Sequence, residues 1–576
     1  YAGSNRDLAA DRQYRPHTSG ATRGRAAEQV EHSSREHRWR ILVSASFAQF
    51  ATAVLPGAAS TDPLAIHAPS IEYAHLAPML IVFGAGAVGV LLEAALPRSM
   101  RRFAQTVLAL ASLVGAFVAV LLNASVRQIA VEGAVAVDGP ALFIQGTILA
   151  VSIGGLLLIA DRSVGTDADF VAQAADVPGS ADERASVRAG FTHTEVFPLA
   201  MFAVAGMLLF ASADDLITMF VALEVLSLPL YLLVGMARRR RLLSQEAAVK
   251  YFLLGAFSSA FFVYGLAMVY GFAGTVQFSG IADALTSSSK GDSLILLGVA
   301  LVGIALLFKL SGAPFHWWTP DVYQGAPTSI TAFMAAGTKI AAFGALLRVF
   351  FVAFGGLSWD WRPVMWGVAI VTMAIGAIVG VTQTDVKRLL AYSSIAHAGF
   401  ILTAVAALAP GSAQDSESGV LFYLVAYGFM TIGSFAVVML VRDGDGEANH
   451  LSRWVGLGRR SPLVAGIFAF FLLALAGLPG TSGLWAKVAV FKAAGEGGAW
   501  PLVIVGVLAS AVTAYYYVRI IVLMFFQEPV ADGPTVVLPQ FFTSTAIGLG
   551  LAVTLVLGVV PQPLLNLADR AGLFIR

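Results

Sequence analysis

Fourteen apolar runs, most of them about twenty residues long, set the terms for any fold this 576-residue chain can adopt. A hydrocarbon layer about 30 Å thick is crossed by roughly 20 residues of helix, so these runs read as membrane-spanning helices. They cover about 77–96, 103–123, 140–160, 195–212, 214–236, 245–271 and 292–313, then 326–354, 363–383, 386–409, 417–441, 462–494, 499–527 and 538–560. The expected fold is therefore all-α and polytopic. Composition agrees: 57% of the residues are hydrophobic and 12% charged, where soluble domains carry about 25% charge. A net charge of +1 leaves no basic domain to neutralise phosphates, which argues against nucleic acid as a partner. The chain has no cysteine, so it offers neither iron–sulfur nor thiolate metal sites, and any electron carrier must sit elsewhere.

Positive charge alternates along the connections. Those after odd-numbered runs hold Arg98, Arg101 and Arg102; Arg162, Arg184 and Arg188; Arg238, Arg239, Arg240 and Arg241; Lys387 and Arg388; and Arg442, Arg453, Arg459 and Arg460. Those after even-numbered runs hold only Arg127, Lys290 and Arg362. The positive-inside rule puts the richer set in the cytoplasm and both termini outside. Residues 1–76 stand apart: polar and Arg-rich to Arg40, then apolar from Ile41 to Ala59, with the first methionine at Met79. They read as a poorly ordered extension, with a signal-peptide-like segment as the other reading. Residues 164–193, rich in Asp, Ala and Ser, read as a solvated cytoplasmic loop.

Ionisable groups inside the runs carry the functional signal. A lysine at the bilayer centre costs about 2.5–3.5 kcal/mol on the insertion scale and usually faces the protein interior. Glu224, Lys250, Lys309, Lys339, His397 and Lys487 all fall within runs. Lys250 sits two turns from the basic loop 238–241 and reads most readily as structural. Arg348, Lys387 and Lys492 lie near run ends and read as interfacial. Lys309, Lys339 and Lys487 are too deep to reach water easily. Burial disfavours a lysine's charge and a nearby carboxylate restores it, so a deep lysine beside a carboxylate is a proton switch. Glu224 and Lys250, on consecutive antiparallel runs, are one candidate pair, although their estimated depths differ by several Å. His316 and His397 titrate near neutrality and suit the gaps between lysines.

Two runs are interrupted. The seventh carries Ser311-Gly312-Ala313-Pro314 directly after Lys309, and the twelfth carries Gly477-Leu478-Pro479-Gly480 before Lys487. Proline and glycine break helices, and paired interruptions in two halves of a transporter point to its ion path. Five runs separate the breaks, and the order of lysine and break reverses. A repeat of runs 4–8 in runs 9–13, inserted upside down, accounts for both. The organisation is then an extension (1–76), three helices (77–163), a loop (164–193), one repeat (194–357), its inverted partner (358–528), and a last helix with its tail (529–576).

The stretch from Thr384 through Lys387-Arg388-Leu389-Leu390-Ala391-Tyr392-Ser393-Ser394-Ile395-Ala396-His397 to Phe400 resembles the signature of the antiporter-like subunits of respiratory complex I. Phe308-Lys309, Ala313-Pro314-Phe315-His316-Trp317-Trp318 and Gly325-Ala326-Pro327-Thr328 resemble the same family's seventh helix and following loop. The wording is nearest to the N branch of that family, and the likeness spans about 77–565. It implies a proton-translocating subunit of a bacterial plasma membrane, with sister antiporter-like and peripheral subunits as partners. It implies no cofactor in this chain, with NADH, FMN, iron–sulfur clusters and quinone handled by other subunits. It implies relay roles for Glu224, Lys250, Lys309, Lys339 and Lys487, with His316 and His397 in the same motifs. A subunit of a cation/proton antiporter or membrane-bound hydrogenase would share the fold and lysines. A passive scaffold is the reading from another class.

Overall fold

The computed structural model describes residues 71–576, apart from 162–169, 171–176, 178–179, 190–192, 239, 288–292, 408–412, 444–445, 530–532 and Arg576. The N-terminal extension up to residue 70 and much of the loop 164–193 lie outside the described residues. The first helices are α1 (Tyr73–Ala95), α2 (Arg98–Leu122), α3 (Gly139–Ala160), α4 (Ala181–Arg188), α5 (Val196–Ser212), α6 (Leu216–Val234) and α7 (Arg241–Ala273). Next come α8 (Phe278–Ser287), α9 (Ser293–Leu310), α10 (Trp318–Gly325), α11 (Thr328–Arg348), α12 (Ser358–Thr382), α13 (Val386–Ala406) and α14 (Ala413–Leu440). The last are α15 (Leu457–Arg460), α16 (Pro462–Ala476), α17 (Ser482–Glu496), α18 (Trp500–Phe526), α19 (Phe541–Val559) and α20 (Gln562–Ala571). Among the described residues, strand is confined to a short hairpin, Gln128–Ala130 with Val135–Val137, and a small three-stranded sheet in the connections. The fold is all-α and polytopic, as the apolar runs require.

Among the described residues, twelve helices are long and apolar enough to cross a membrane, and α5 and α16 are shorter apolar helices. Burial sorts them. The membrane windows of α11 and α13 are buried along their whole length, whereas α1, α2, α7 and α18 bury only a third of theirs. Those outer helices expose Leu91, Phe103, Leu122, Phe257 and Leu508, the pattern of surfaces that meet lipid. Aspartates start three of the inner helices. Asp138 accepts from Ala141 N at 3.0 Å, Asp215 from Thr218 N at 2.7 Å, and Asp385 from Lys387 N at 2.9 Å. Each satisfies backbone donors that a helix start leaves open.

Two stretches of the chain, α5–α6 and α12–α13, match at a constant offset of 170 residues. Gly206 lies so close to Leu226 that a Cβ would strike its backbone, and Gly376 lies the same way against Ala396. The caps Asp215 and Asp385 correspond. Leu216 N donates to Val276 O at 3.1 Å and Phe278 N to Asp214 O at 3.0 Å. In the second stretch Val386 N donates to Asn449 O at 2.7 Å and Leu451 N to Thr384 O at 2.8 Å. The same local construction therefore occurs twice.

Both sequence breaks are breaks in helix. Between α9 and α10, Ser311 takes a positive φ of 65° and the Ala313–Pro314 bond is cis. The freed backbone groups find partners: Gly312 N donates to Leu307 O at 2.8 Å, Ala313 N to Thr372 Oγ1 at 2.9 Å, and Trp318 Nε1 to Phe308 O at 2.9 Å. Between α16 and α17, Gly477 and Gly480 have φ of 91° and 85°, a region that glycine enters without steric cost. Non-helical backbone at membrane depth survives only when protein satisfies it, and here protein does.

Candidate functional site

Lys309 ends α9 and is 3% exposed. Its Nζ donates to Ser227 Oγ at 2.6 Å. The rings of Tyr231 and Tyr251 lie 5.7 Å from that nitrogen and Phe308 lies 5.9 Å away, so a cationic ammonium faces three aromatic surfaces. Ser227 and Glu224 are one turn apart on α6, which puts the carboxylate on the face Lys309 approaches. Glu224 accepts a short hydrogen bond from Ser259 Oγ of α7.

Lys250 is placed differently. Its Nζ lies 2.7 Å from Asp321 Oδ2 on α10 and 2.7 Å from Glu246 Oε1 one turn earlier, with the side chain 42% exposed. Asp321 also takes Arg388 Nη1 at 2.6 Å. No hydrogen bond or ion pair joins Lys250 to Glu224 among the described residues. The helix explains why: Ser259, which meets Glu224, is nine residues beyond Lys250, or about 13 Å at 1.5 Å per residue.

Lys339 sits mid-way along α11 and is 2% exposed. Its Nζ donates to both the carbonyl and the hydroxyl of Ser394, each at 2.5 Å, and lies 5.4 Å from the centre of the Tyr427 ring. Tyr427 donates to Ser394 Oγ at 2.7 Å. One turn further along α13, His397 Nδ1 shares a 2.6 Å hydrogen bond with Tyr423, and its Nε2 lies 3.5 Å from Tyr517. Tyr517 in turn pairs closely with Ser393. Lys487 on α17 is 5% exposed and donates to Ala476 O and Ser510 Oγ, both at 2.7 Å. Its stem packs on Gly477, where a side chain would meet Lys487 Cδ at 3.2 Å. The Phe400 ring stands between it and His397, 5.2 Å from Lys487 Nζ and 5.6 Å from the imidazole.

The structure thus brings Lys339, His397 and Lys487 to one interior seam, with Lys309 and Glu224 in a sister pocket. His316 lies between α9 and α10, buried against Trp317 with ring centres 4.8 Å apart. Its Nδ1 has no partner among the described residues. The hydroxyl partners Ser227, Ser394, Tyr423, Tyr427 and Tyr517 were not singled out in the sequence. A signal for some existed: Ser394 and His397 share a helical face, as do Tyr423 and Tyr427. Among the described residues, no group of three His, Asp or Glu could hold a metal ion. What the seam can do is hold protons on nitrogen and pass them along hydroxyls that both donate and accept.

Three comparisons place this geometry among known proteins. Residues 213–513 match the family model described as NADH:quinone oxidoreductase/Mrp antiporter, TM. NADH-quinone oxidoreductase subunit N of Acidothermus cellulolyticus is 75% identical over 519 residues, covering 90% of this chain and 99% of that one. Subunit N of Rhodococcus opacus is 61% identical, covering 89% and 98%. A chain of respiratory complex I from Thermus thermophilus superposes with a TM-score of 0.69 at 31% identity, over 85% of this chain and 99% of that one. A chain of the Mrp complex from Dietzia reaches 0.73 at 21% identity, over 87% and 97%, a likeness of fold.

Proposed function

This chain belongs to the NADH-quinone oxidoreductase subunit N family, and from that premise we propose how its buried groups move protons. It is an antiporter-like, proton-translocating membrane subunit of that oxidoreductase, partnered by the complex's other subunits. Electron transfer from NADH to quinone, with its FMN and iron–sulfur clusters, is assigned to those partners.

The relay runs through Lys309, Lys339, His397 and Lys487, with Glu224 as the carboxylate that modulates Lys309. The observation that carries it is the run of hydrogen bonds from Lys339 through Ser394 to Tyr427, whose ring centre lies 5.4 Å from that of His397, flanked by two other buried ammoniums. Each lysine alternates between charged and neutral forms. A charged lysine is held by its hydroxyl or carbonyl acceptors and the aromatic faces; a neutral one is favoured by burial. Water joins the segments that protein hydrogen bonds leave separate: Lys309 to Lys339, Tyr427 to His397, and His397 to Lys487 past Phe400. We assign His316, seven residues beyond Lys309 in the helix break, to the first gap. Lys250, paired with Asp321 and Glu246, anchors α7 to α10 and is placed outside the relay.

The repeated construction at an offset of 170 residues supports two five-helix repeats, 194–357 and 358–528, inverted relative to one another across fourteen crossings. The richer basic connections then face the cytoplasm of a bacterial plasma membrane and the termini face outside. The test is Lys339→Ala and Lys309→Ala in the intact complex reconstituted in vesicles. The relay expects assembled complexes that oxidise NADH with uncoupler present and pump few protons. Loss of assembly along with pumping supports the scaffold reading instead.

A further inference from the structure

Arg348, at the end of its run, is enclosed by protein rather than exposed. Its side chain is fully buried at the end of α11, with Nη2 2.6 Å from Asp138 Oδ1 and Nη1 3.4 Å from Asp214 Oδ1. Asp138 starts α3, Asp214 lies in the turn from α5 to α6, and buried Glu417 lies in the first turns of α14, close enough for its charge to act on Asp138 and Arg348. The C-terminal tail closes the cluster. Phe574 covers the guanidinium at 4.9 Å, Ile575 N donates to Asp138 Oδ2 at 3.2 Å, and Gly572 packs beside the Glu417 carboxylate.

Three carboxylates thus surround one guanidinium. Asp138 accepts from Arg348, Ala141 N and Ile575 N, all of them N–H donors, which fixes it as the ionised member. Asp215, the remaining neighbour, spends its carboxylate on Thr218 N and Thr218 Oγ1. If Asp214 and Glu417 were both ionised as well, the buried set would carry excess negative charge, which a site closed to water holds only at high cost. A proton on one of them halves that excess, from two net negative charges to one, and a proton on each removes it. Burial pushes Asp214 up to about 6, against the pull of Arg348 and with the push of Asp138. Among the described residues, Arg348 Nε is a buried donor without a partner, as is the Ser416 hydroxyl next to Glu417 in sequence, which leaves hydrogen-bonding capacity open at the guanidinium.

The cluster also connects inward. Asp138, Gln145 and Ser152 are spaced seven residues apart on α3, two turns each, and so share a face. Gln145 Nε2 donates to Ser212 Oγ at 3.2 Å, two residues before Asp214. Ser152 Oγ is buried without a partner among the described residues, and its neighbour Val151 and Ile340, which follows Lys339, both lie against Gly428.

We propose that Asp214 and Glu417, with Arg348 as fixed counter-charge, form a proton-holding site fed from the Lys339 level along the Ser152–Gln145 face of α3 and gated by the C-terminal tail. The proton arrives along hydroxyl and amide groups with intervening water, resides as a carboxylic acid O–H on Asp214 or Glu417, and leaves to solvent when the tail lifts. The direction of flow rests on the relay proposed above; the protonated carboxyl does not.

The test uses the intact complex and infrared difference spectroscopy across a pH titration, with proton pumping measured in vesicles. The expected result is a protonated-carboxyl band lost in Glu417→Gln or Asp214→Asn, together with loss of pumped protons and retention of uncoupled NADH oxidation. A band unchanged in both variants overturns the site. Wild-type pumping in both overturns its place on the path. Should either variant fail to assemble, Phe574→Ala keeps every carboxylate and thins the lid. Hydrogen–deuterium exchange of the carboxyl should then quicken several-fold, and an unchanged rate overturns the gate. A failure of the lysine relay would leave the carboxyl band in place, which separates the two ideas.

Discussion

Glu447→Gln should destabilise the complex by about 3 kcal/mol, because it strands a buried lysine. Glu447 Oε2 lies 3.1 Å from Lys387 Nζ, and its Oε1 accepts from Thr328 N at 3.1 Å. Lys387 is 1% exposed and also donates to Ala326 O at 2.6 Å. One carboxylate therefore ties the start of α11, which carries Lys339, to the start of α13, which carries Ser394 and His397. Removing one partner of a buried pair costs about 3–5 kcal/mol. The low end applies, since the Ala326 carbonyl remains and the new amide oxygen can still serve Thr328. Removing both charges in Lys387→Met/Glu447→Gln should recover most of the loss. The assay is thermal inactivation of the solubilised complex, ranking wild type, double and single variants. A single variant as stable as the double would refute the stranded-charge argument.

The same glutamate sets an acid limit. Burial pushes its carboxyl up, but the charges of Lys387 and Arg442 and the Thr328 hydrogen bond outweigh burial and hold it below the usual range. A depressed carboxylate lends stability above its unfolded value of about 4.3, and that stability fades as pH falls through the folded value. Acid inactivation should therefore begin below pH of about 4 in the wild type and lose this component in Glu447→Gln. Gly376→Ala should destabilise by about 1–3 kcal/mol, because its Cβ meets Ala396 backbone that cannot rotate away. Gly367→Ala, in the same helix with nothing within 4 Å, should gain up to about 1 kcal/mol, and equal effects would contradict the close approach. Lys250→Met removes a half-exposed ion pair worth about 0–1 kcal/mol and should leave the pumped-proton ratio unchanged. A collapse of pumping would return Lys250 to the relay.

The helices were legible because lipid permits so few alternatives: each apolar run contains a helix, and both Gly/Pro interruptions break one. Burial was legible for Lys309, Lys339 and Lys487 because no basic loop lies nearby. Partners were not. Position alone puts Arg348 and Lys387 at run ends and does not reveal that both are buried, since Asp138, Asp214 and Glu447 reach them from distant segments. Consecutive helices make Lys250 and Glu224 a candidate pair in sequence, but the register of α6 on α7 puts Ser259 opposite the glutamate. Lys492, by contrast, is exposed beside Glu496, as its run-end position suggested.

The central claim is that Lys309 and Lys339 must release protons, not merely carry charge. Arginine preserves the charge and much of the reach but does not deprotonate in proteins. The direct measurement is the number of protons pumped per NADH oxidised by reconstituted complexes bearing Lys309→Arg or Lys339→Arg. The relay predicts assembled, NADH-oxidising complexes with a markedly lower ratio. A wild-type ratio in both variants would contradict it.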